Sequence, residues 1–375
     1  MTCASQTALV RMDSGFSQAD AAFMARALRL AERGLYSTDP NPRVGCVLVR
    51  DGQVIGEGWH RQAGGPHAEI VALAAAGEAA RGATAYVTLE PCCHQGRTPP
   101  CTDALIAAGV ARVVAAMEDP NPRVSGAGLR RLAAAGITVQ CGLLEGPAEA
   151  LNPGFCRRMR GGRPWLRSKL AMSLDGRTAL ASGVSRWITG PDARRDGHRL
   201  RARSSAIVTG IGTVLADDPE LTARLPEMAE TIVQPARVVL DSRGRLPASA
   251  RLAAVPGRVI VLGVAPARSV PGGVEFHTLP AGEDGRVDLP AALDWLGQAE
   301  FNEVLVEAGP TLNGALLRAG LVDEWVVYLA PVVLGDAGRG LFHLPALTRM
   351  ADRHELSLRD VRQVGRDVRM VFRKG

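Results

Sequence analysis

The chain has 375 residues, which exceeds the usual size of one compact domain and predicts two. Hydrophobic residues make up 46% of it and charged residues 22%, a balance that excludes a largely disordered chain. The net charge of +6 is spread along the sequence without a block of lysine and arginine. This distribution favours small phosphate-bearing molecules over nucleic acid as partners, although a generic surface excess of positive charge explains it equally well.

Targeting features and cysteines indicate a cytoplasmic protein. No apolar run is long enough to span a bilayer, so we expect no membrane partner. Arg11 and Asp13 interrupt the region where a signal peptide would need its apolar core. The seven cysteines are odd in number and scattered, unlike a disulfide framework. In a reducing cytoplasm, clustered cysteines more often bind metal or take part in chemistry.

The first half of the sequence alternates helices and strands. A helix is predicted to begin at Ser17 and to end at Gly34, and Asp51-Gly52 between two apolar runs indicates a hairpin. The other predicted elements are helices 67–82, 102–108 and 129–135 and strands 44–49, 53–59, 83–89, 110–117 and 137–141. This alternation predicts a layered α/β domain.

The hexapeptide DPNPRV occurs twice, at residues 39–44 and 119–124. Two prolines that flank an asparagine fix an extended turn at the end of an element. Turn statistics alone favour a purely structural reading of both copies. The functional alternative is that the first copy presents Asn41 to a ligand.

Residues 146–164 are rich in Gly, Pro and Arg and are interpreted as a domain boundary. We therefore predict one domain at 1–160 and a second at 161–375. The second half again mixes the two element types and predicts another α/β domain. Its predicted elements are strands 165–173, 237–241, 258–264, 303–307, 324–333 and 368–372 and helices 191–203 and 311–319.

The segment PCCHQGRTPPC, residues 91–101, contains three cysteines and a histidine after a predicted strand. Upstream, His67-Ala-Glu69 opens a helix, where both functional side chains can reach a site at the helix N-terminus. Zinc held by one histidine and two thiolates keeps a fourth position for water, whose pKa the metal lowers. The order H-x-E, then P-C, then a later cysteine is typical of zinc-dependent nucleobase deaminases, in which the glutamate transfers protons.

The spacing leaves the ligand set open. The usual second half, PCxxC, fails because Gln95 stands three positions after Cys92. We assign Cys92 and Cys101 as ligands, but on the general pattern Cys93 or His94 can replace one of them. A closed structural zinc site that includes His94 is the alternative, and a lone H-x-E at a helix start usually has no meaning.

Motifs along almost the whole chain resemble those of one family. In order they are PHAE, TLEPCCHQGRTPPC, DPNPRV, KLAMSLDGR, WITG, VLADDP and VEAGPTLNGALL. They resemble the bifunctional enzymes of riboflavin biosynthesis, in which a pyrimidine deaminase precedes a pyrimidine reductase. The resemblance implies a cytidine-deaminase-like three-layer α/β domain followed by a dihydrofolate-reductase-like domain. It also implies one zinc ion, NADPH, a small phosphorylated pyrimidine substrate and a homo-oligomer, such as a dimer or tetramer.

The resemblance implies two reactions. The first is deamination of 2,5-diamino-6-(5-phosphoribosylamino)pyrimidin-4(3H)-one. The second is NADPH-dependent reduction of the ribosyl chain, which gives 5-amino-6-(5-phosphoribitylamino)uracil.

For the deaminase, the resemblance implies that His67, Cys92 and Cys101 bind zinc and that Glu69 is the proton shuttle. It also implies that Asn41 contacts the substrate, which reverses the preference for a structural turn. Cys93 stands where the family commonly has serine, and a thiol beside a metal can compete for it or be oxidised. We expect that Cys93 is not a ligand.

In the second half no G-x-G-x-x-G follows a strand, so a Rossmann site is not indicated. Instead, residues 304–311 predict a strand, a tight turn and a helix N-terminus, where a phosphate binds well. An ordinary strand–turn–helix explains the same pattern. The resemblance implies cofactor contacts at Ala171, Trp187, Thr213, Asp217, Ser242, Gly309, Pro310, Thr311, Leu312, Asn313, Gly314 and Ala315. It implies substrate contacts at Ser185, Arg201, Leu221, Arg224 and Glu307.

Several basic residues in this half suit phosphate chemistry. Arg201 and Arg224 are natural clamps for a substrate phosphate, although arginines on a basic helix usually face solvent. We hypothesise that Arg243 and Arg245 meet the 2′-phosphate of NADPH. Lys169 is predicted to lie beside the substrate ribose with Glu307 and to assist proton transfer; otherwise it is a strand-edge lysine. Ala171 replaces a common glycine, so cofactor contact there would be tighter.

Three other functions compete with this interpretation. A polynucleotide deaminase fused to an unrelated dehydrogenase is disfavoured because aromatic residues are only 4% of the chain and no basic face carries them for base stacking. A zinc-stabilised scaffold without activity predicts that chelation unfolds the first domain. A reductase with an inactive deaminase is disfavoured because Glu69 and all three ligand residues are present.

Overall fold

The computed structural model describes residues 15–94, 99–122, 124–265 and 272–375. Arg11, Asp13 and Gln95, which the sequence interpretation used, lie outside these residues. The chain divides into two compact units, the first ending at Gly161 and the second beginning at Gly162.

The first unit begins as its sequence predicts. Ser17 caps helix α1, Gln18–Glu32: its hydroxyl accepts a hydrogen bond from the Asp20 N–H, while the Asp20 carboxylate accepts one from the Ser17 N–H. The hairpin of β1, Gly45–Arg50, and β2, Gln53–Trp59, is confirmed as well. Asp51 and Gly52 turn it with φ values of 50° and 74°, as a two-residue hairpin loop requires.

The first unit is a three-layer α/β structure around a five-stranded sheet of order β2-β1-β3-β4-β5. Strands β3, β4 and β5 are parallel, and β1 is antiparallel to both neighbours. Helices α2 to α4 cover one face, and α1, α5 and α6 cover the other. The remaining elements are α2 Ala68–Ala76, β3 Thr84–Val87, α3 Cys101–Ala107, β4 Arg112–Ala115, α4 Ala127–Ala134, β5 Thr138–Cys141, α5 Glu145–Leu151 and α6 Pro153–Gly161, with a 3₁₀ turn at Gly77–Ala80.

The segment interpreted as a boundary is largely helical. Helices α5 and α6 occupy it, and Phe155 and Cys156 pack into the core below the sheet. Pro153 is tolerated because it is the first residue of α6, where its missing N–H costs nothing. Burial of Phe155 explains why a stretch of loop-like composition folds against the first unit.

The second unit contains a nine-stranded sheet of order β11-β10-β9-β8-β12-β6-β13-β16-β15. The strands from β11 to β13 in this order are parallel, and β16 and β15 are antiparallel. The elements are β6 Trp165–Ser173, β7 Arg177–Ala179, α7 Pro191–Ala202, β8 Ala206–Gly210, α8 Ile211–Asp217, β9 Ala236–Leu240, α9 Arg251–Ala254, β10 Val259–Gly263, β11 Val274–Thr278, α10 Leu289–Gln298, β12 Glu303–Val306, α11 Pro310–Arg318, β13 Glu324–Ala330, β14 Arg339–Gly340, β15 Leu356–Val364 and β16 Asp367–Lys374. Short 3₁₀ turns lie at Pro226–Met228 and Met350–Asp352, and β7 pairs with β14.

Parallel strands bring the predicted reductase residues to one edge. The carboxyl ends of adjacent parallel strands lie side by side, and ligands of open α/β sheets bind at that edge. Gly210 ends β8, Ser242 follows β9, and Glu307 follows β12 directly. The register pairs Val306 with Ser168, so Glu307 comes level with Lys169 of β6.

Candidate active sites

His67, Cys92 and Cys101 come together in the first unit because three separate element ends meet there. His67 caps the N-terminus of α2, Cys101 begins α3, and Cys92 follows β3. The His67 Nδ1 atom lies 3.2 Å from the Cys101 Sγ atom and 3.6 Å from the Cys92 Sγ atom. The Cys101 N–H also donates to the Cys92 Sγ atom at 3.3 Å.

The donor set fits zinc. One imidazole nitrogen and two thiol sulfurs lie within 4.8 Å of one another. Zinc–ligand bond lengths imply donor separations of roughly 3.6 Å around a tetrahedral ion, close to the two separations found here. Three protein donors leave one position of a tetrahedron open. This arrangement is typical of a catalytic zinc site and not of a closed structural one.

Glu69 lies beside this cluster with only 3% of its surface exposed. Burial raises the pKa of its carboxyl group to about 7, and Cys101 is within hydrogen-bonding reach of it. Hydrogen bonds from Cys101 and His67 lower the pKa of the Cys92 thiol to about 4, against the effect of its own burial.

Cys93 and His94 do not join the donor cluster among the residues that the structure describes. Cys93 is half-buried, and His94 is exposed. The Cys93 carbonyl accepts a hydrogen bond from the Arg131 Nη1 atom at 3.4 Å. Their positions support the choice of Cys92 and Cys101 and give no support to a closed site that includes His94.

Asn41 is held by a histidine that sequence reasoning missed. The Asn41 Nδ2 atom lies 3.0 Å from the Nε2 atom of His60, and the His60 Nδ1 atom lies 3.0 Å from the Pro66 carbonyl oxygen. If Nδ1–H donates to Pro66, then Nε2 accepts from the Asn41 amide and fixes its orientation. A lone histidine after a strand carries no sequence signal for this role, because its contact with Asn41 joins residues 19 positions apart.

Glu90 anchors the strand end that carries Cys92. Its buried carboxylate accepts hydrogen bonds from the N–H groups of Gly126, Gly128 and Asp119 at 2.7–3.0 Å. The first turn of α4 therefore binds this carboxylate at its positive end. A Cβ atom on Gly128 would lie 2.1 Å from the Pro91 carbonyl oxygen, so glycine permits this close approach. Sequence reasoning missed Glu90 as well.

In the second unit, Lys169, Arg201 and Glu307 form one charged group. The Arg201 Nε and Nη2 atoms donate to the two Glu307 oxygens at 2.6 and 2.8 Å. Burial opposes ionisation of Glu307, but Arg201 and Lys169 lower its pKa to about 2. Burial and Arg201 lower the pKa of Lys169, while Glu307 acts in the opposite direction.

The two predicted phosphate clamps differ in their surroundings. The guanidinium of Arg201 already makes a bidentate pair with Glu307 and donates to the Thr222 carbonyl at 3.0 Å. The side chain of Arg224 is 54% exposed and contacts Glu220 and Thr222 through its Nη1 atom. Arg224 is therefore the better placed of the two to meet a phosphate.

The predicted cofactor turn is open at its tip and buried behind it. Gly309 caps α11 and is exposed, and a Cβ atom added there would meet nothing within 4 Å. Asn313 has no exposed surface: its Nδ2 atom donates to the Ala308 carbonyl, and its Oδ1 atom accepts from Ser168. A Cβ atom on Gly314 would lie 2.1 Å from the His343 carbonyl oxygen. The Asn313 side chain and the close approach at Gly314 therefore shape the turn from behind, and direct contact of these two residues with the cofactor stays a prediction.

The other predicted positions lie on the loops and helices that follow the strands. Trp187 is 68% exposed, with the Arg194 guanidinium 4.6 Å from its ring centre, and Asp217 is exposed at the end of α8. Leu221 is an exception, because its side chain is buried in the core beneath α7. The half-buried positions are Ala171, Ser185, Thr213, Ser242, Pro310, Leu312 and Ala315, whereas Thr311, Arg243 and Arg245 are exposed.

Two family models match the chain. The cytidine and deoxycytidylate deaminase zinc-binding region matches residues 17–117, and the RibD C-terminal domain matches residues 164–370. Among the helices in the described ranges, none has the length and apolar character needed to cross a bilayer.

Relatives match over nearly the whole chain. Riboflavin biosynthesis protein RibD of Escherichia coli is 54% identical, with 93% of this chain and 98% of the relative covered. RibD of Haemophilus influenzae is 49% identical, with 95% and 98% covered.

Solved structures share the fold. Acinetobacter baumannii RibD matches with a TM-score of 0.90 and 48% identity, covering 96% of this chain and 99% of that one. A diaminohydroxyphosphoribosylaminopyrimidine deaminase/5-amino-6-(5-phosphoribosylamino)uracil reductase from Thermotoga maritima matches with a TM-score of 0.86 and 35% identity, covering 95% and 99%.

Proposed function

The chain belongs to the RibD family of bifunctional deaminase–reductases of riboflavin biosynthesis, and from that premise we propose how its residues carry the two reactions. Residues 1–160 form the deaminase domain and residues 161–375 the reductase domain. The substrate of the deaminase domain is 2,5-diamino-6-(5-phosphoribosylamino)pyrimidin-4(3H)-one. The product of the reductase domain is 5-amino-6-(5-phosphoribitylamino)uracil.

In the first reaction, water replaces an exocyclic amino group of the pyrimidine, and ammonia leaves. His67, Cys92 and Cys101 would hold a zinc ion, which supplies a water of lowered pKa when bound. Glu69 takes a proton from the attacking water and delivers it to the departing nitrogen. The orientation that His60 gives to Asn41 allows the Asn41 amide to align the pyrimidine ring.

The observation that carries this proposal is the buried Glu69 carboxyl beside three zinc donors. Among the described residues no salt bridge includes Glu69, and its carboxyl, with a pKa of about 7, can exist in both protonation states near neutral pH, which a proton shuttle requires. A structural zinc site would need a fourth protein donor, and it would not need a buried carboxyl group such as that of Glu69.

In the second reaction, a hydride and a proton convert the ribosyl group into ribityl. NADPH supplies the hydride when it is bound at the edge formed by the ends of β8, β9 and β12 and by the open turn at Gly309. Glu307 is ionised and tied to Arg201, so it is a poor proton donor. The lowered pKa of Lys169 makes it the better acid, and we assign it the proton transfer beside the ribose.

Phosphate groups define the remaining assignments. Arg224, with its exposed guanidinium, contacts the substrate phosphate, and Arg201 acts chiefly through its pair with Glu307. Ser185 and the backbone of Leu221, whose side chain is buried in the core, line the substrate position. Ala171, Trp187, Thr213, Asp217 and Ser242 line the cofactor position. Arg243 and Arg245, both exposed after β9, contact the 2′-phosphate of NADPH.

The proposal also covers localisation, partners and oligomeric state. The protein works in the cytoplasm, where its thiols stay reduced, on small phosphorylated pyrimidines and without nucleic acid or membrane. It forms a homo-oligomer, either a dimer or a tetramer. The exposed edge strand β15, with Leu358 and Val361 turned to solvent, supports an interface in the second unit. Light scattering on a sizing column measures the mass and decides between these states and a monomer.

Metal removal tests whether zinc is required for deamination alone. Dialysis against a chelator should abolish ammonia release while reduction of the deaminated substrate by NADPH continues, and added zinc should restore deamination. Circular dichroism during the dialysis provides the control. Unfolding of the first unit with metal loss would favour a structural zinc, and loss of both activities would contradict the assignment of zinc to deamination alone.

A further inference from the structure

Residues 218–224, here called the substrate segment, have a strained backbone. Asp218 and Leu221 have φ values of 42° and 53°, in the left-handed region that residues other than glycine seldom adopt. The segment also carries Arg224, the residue proposed to meet the substrate phosphate. A backbone of this kind persists only where neighbouring groups hold it.

Three side chains hold the end of the substrate segment by its backbone. Gln234 makes two hydrogen bonds to Ala223, with Oε1 accepting from the N–H and Nε2 donating to the carbonyl, both at 2.9 Å. Arg201 donates to the Thr222 carbonyl at 3.0 Å. His198 accepts a hydrogen bond from the Arg224 N–H on its Nδ1 atom at 3.2 Å.

His198 and Arg201 lie three residues apart on α7 and therefore face the same side of the helix. Arg201 forms an ion pair with Glu307, whereas the His198 Nδ1 atom accepts a hydrogen bond from the Arg224 N–H. Acceptance at Nδ1 requires that this nitrogen carries no proton. Burial and the charges of Arg201 and Arg224 lower the pKa of His198 to about 4, which keeps the ring neutral near pH 7.

We propose that His198 is a positioning residue of the reductase, which fixes the backbone of Arg224 so that its guanidinium meets the substrate phosphate. This inference rests on the proposed function, which assigns that phosphate to Arg224. Other residues anchor α7: Ala193 and Leu200 are buried in the core, and Asp196 accepts a hydrogen bond from the Tyr328 hydroxyl. The fold of α7 therefore does not depend on His198, and its contact can be removed selectively.

The test compares reductase kinetics of His198→Leu and His198→Asn with those of the wild type. Leucine removes the acceptor and also the ring N–H that bonds to the Thr222 backbone, whereas asparagine retains an acceptor near the Nδ1 position. The leucine variant should raise the KM for the deaminated substrate about tenfold or more, as expected for the loss of hydrogen bonds that order a binding group. The kcat and the KM for NADPH should change less than about twofold. Asparagine should recover most of the lost affinity.

A dephosphorylated substrate separates positioning from general damage. Wild-type enzyme should prefer the phosphorylated substrate, and His198→Leu should lose most of that preference while its activity on the dephosphorylated compound is unchanged. Arg199→Ala, at the exposed neighbouring position of α7, is the matched control. Ammonia release by the same preparations confirms that the first unit is intact.

Two results would overturn the inference: an unchanged KM in His198→Leu, or an equal loss on both substrates. A wild-type enzyme that reduces both substrates equally well would instead contradict the assignment of the phosphate to Arg224. A wild-type enzyme that reduces neither would contradict the proposed reductase. If leucine prevents folding, the asparagine variant and Gln234→Ala, which loosens the same segment from its other side, carry the comparison.

Discussion

Glu69 and Glu90 are both buried carboxyl groups next to predicted zinc ligands, yet their surroundings give them different roles. Glu90 accepts hydrogen bonds from several backbone N–H groups, which compensate its charge and fix it in place. Glu69 has a pKa raised to about 7 by burial and lies beside the donor cluster. Glu90 therefore has a structural role, whereas Glu69 can exchange a proton.

At the scale of single residues, the ligand choice gives a direct prediction. Cys93→Ser should keep about one zinc per chain and wild-type deamination, because its thiol lies outside the donor cluster. Cys101→Ser should lose zinc and ammonia release together, since alkoxide is a poor substitute for thiolate. Metal analysis of both proteins after identical purification measures the difference. Zinc loss in Cys93→Ser would contradict the ligand set.

The preference for NADPH over NADH is a second property of individual residues. Arg243→Ala and Arg245→Ala together should lower kcat/KM for NADPH about tenfold or more, because each guanidinium can pair with the 2′-phosphate. The value for NADH should stay within about twofold. Arg349→Ala, at an exposed arginine outside the predicted cofactor positions, is the control. An unchanged ratio of the two cofactors would refute the assignment of these two arginines.

At the scale of elements, helix α4 holds the cysteine-bearing segment through Glu90 and Gly128. Gly128→Ala places a Cβ atom against the Pro91 carbonyl oxygen, so the helix must move away from that segment. We expect about 1–3 kcal/mol of lost stability and weaker zinc binding. Thermal unfolding and competition with a chromogenic chelator measure the two effects.

Gly146→Ala is the matched control for this change. Gly146 lies in helix α5, and a Cβ atom there meets nothing within 4 Å. Alanine in an open helical position should be neutral or stabilising by about 0.5–1 kcal/mol. If Gly128→Ala behaved like Gly146→Ala, the close contact between α4 and the Pro91 carbonyl would have no energetic role.

The ion pair between α7 and the end of β12 predicts a pH dependence of stability. The pKa of Glu307 falls from 4.5 to about 2, so the folded state favours the ionised form. The contribution of Glu307 should be complete above about pH 4.5 and should be lost as the pH falls towards 2. Urea unfolding of wild type and Glu307→Gln between pH 3 and 7 measures this. If the difference in unfolding free energy between the two proteins did not change with pH, the predicted contribution of ionised Glu307 would be contradicted.

The sequence predicts elements whose determinants are local. The start of α1 at Ser17, the Asp51-Gly52 hairpin and the apolar strand β6 are confirmed because neighbouring residues decide them. The missed elements are strands β7, β8, β11, β14 and β15 and helices α5, α6, α8, α9 and α10. Strand β15 has mostly exposed side chains, and β8 has only three consecutive apolar residues before Thr209 and Gly210. Tertiary pairing decides such segments, and periodicity does not reveal it.

The sites show the same division. The H-x-E and P-C motifs indicate His67, Glu69 and Cys92, but the spacing leaves the last ligand open, and only the family resemblance selects Cys101. The structure brings all four residues together. His60, Glu90 and His198 act through contacts with residues 6 to 39 positions away, so no local pattern identifies them. The burial of Asn313 was also not predictable, because it depends on a hydrogen bond from Ser168, 145 residues away.

At the scale of the whole molecule, one chain contains two catalytic sites that act in sequence and independently of each other. The zinc donors and Glu69 lie in the first unit, and Lys169, Arg201 and Glu307 lie in the second. A change confined to one site should therefore leave the other reaction intact. Failure of reduction in a deaminase variant should be cured by supplying the deaminated intermediate.

The most direct measurement follows ammonia and NADPH together for wild type and Glu69→Gln, with Glu78→Gln at an exposed position as the control. With the diaminopyrimidine phosphate, wild type should release ammonia before it oxidises NADPH. Glu69→Gln should retain zinc but release ammonia about 10²–10⁴-fold more slowly. It should still reduce the deaminated substrate at the wild-type rate. Wild-type ammonia release by Glu69→Gln, or its failure to reduce that substrate, would contradict the account.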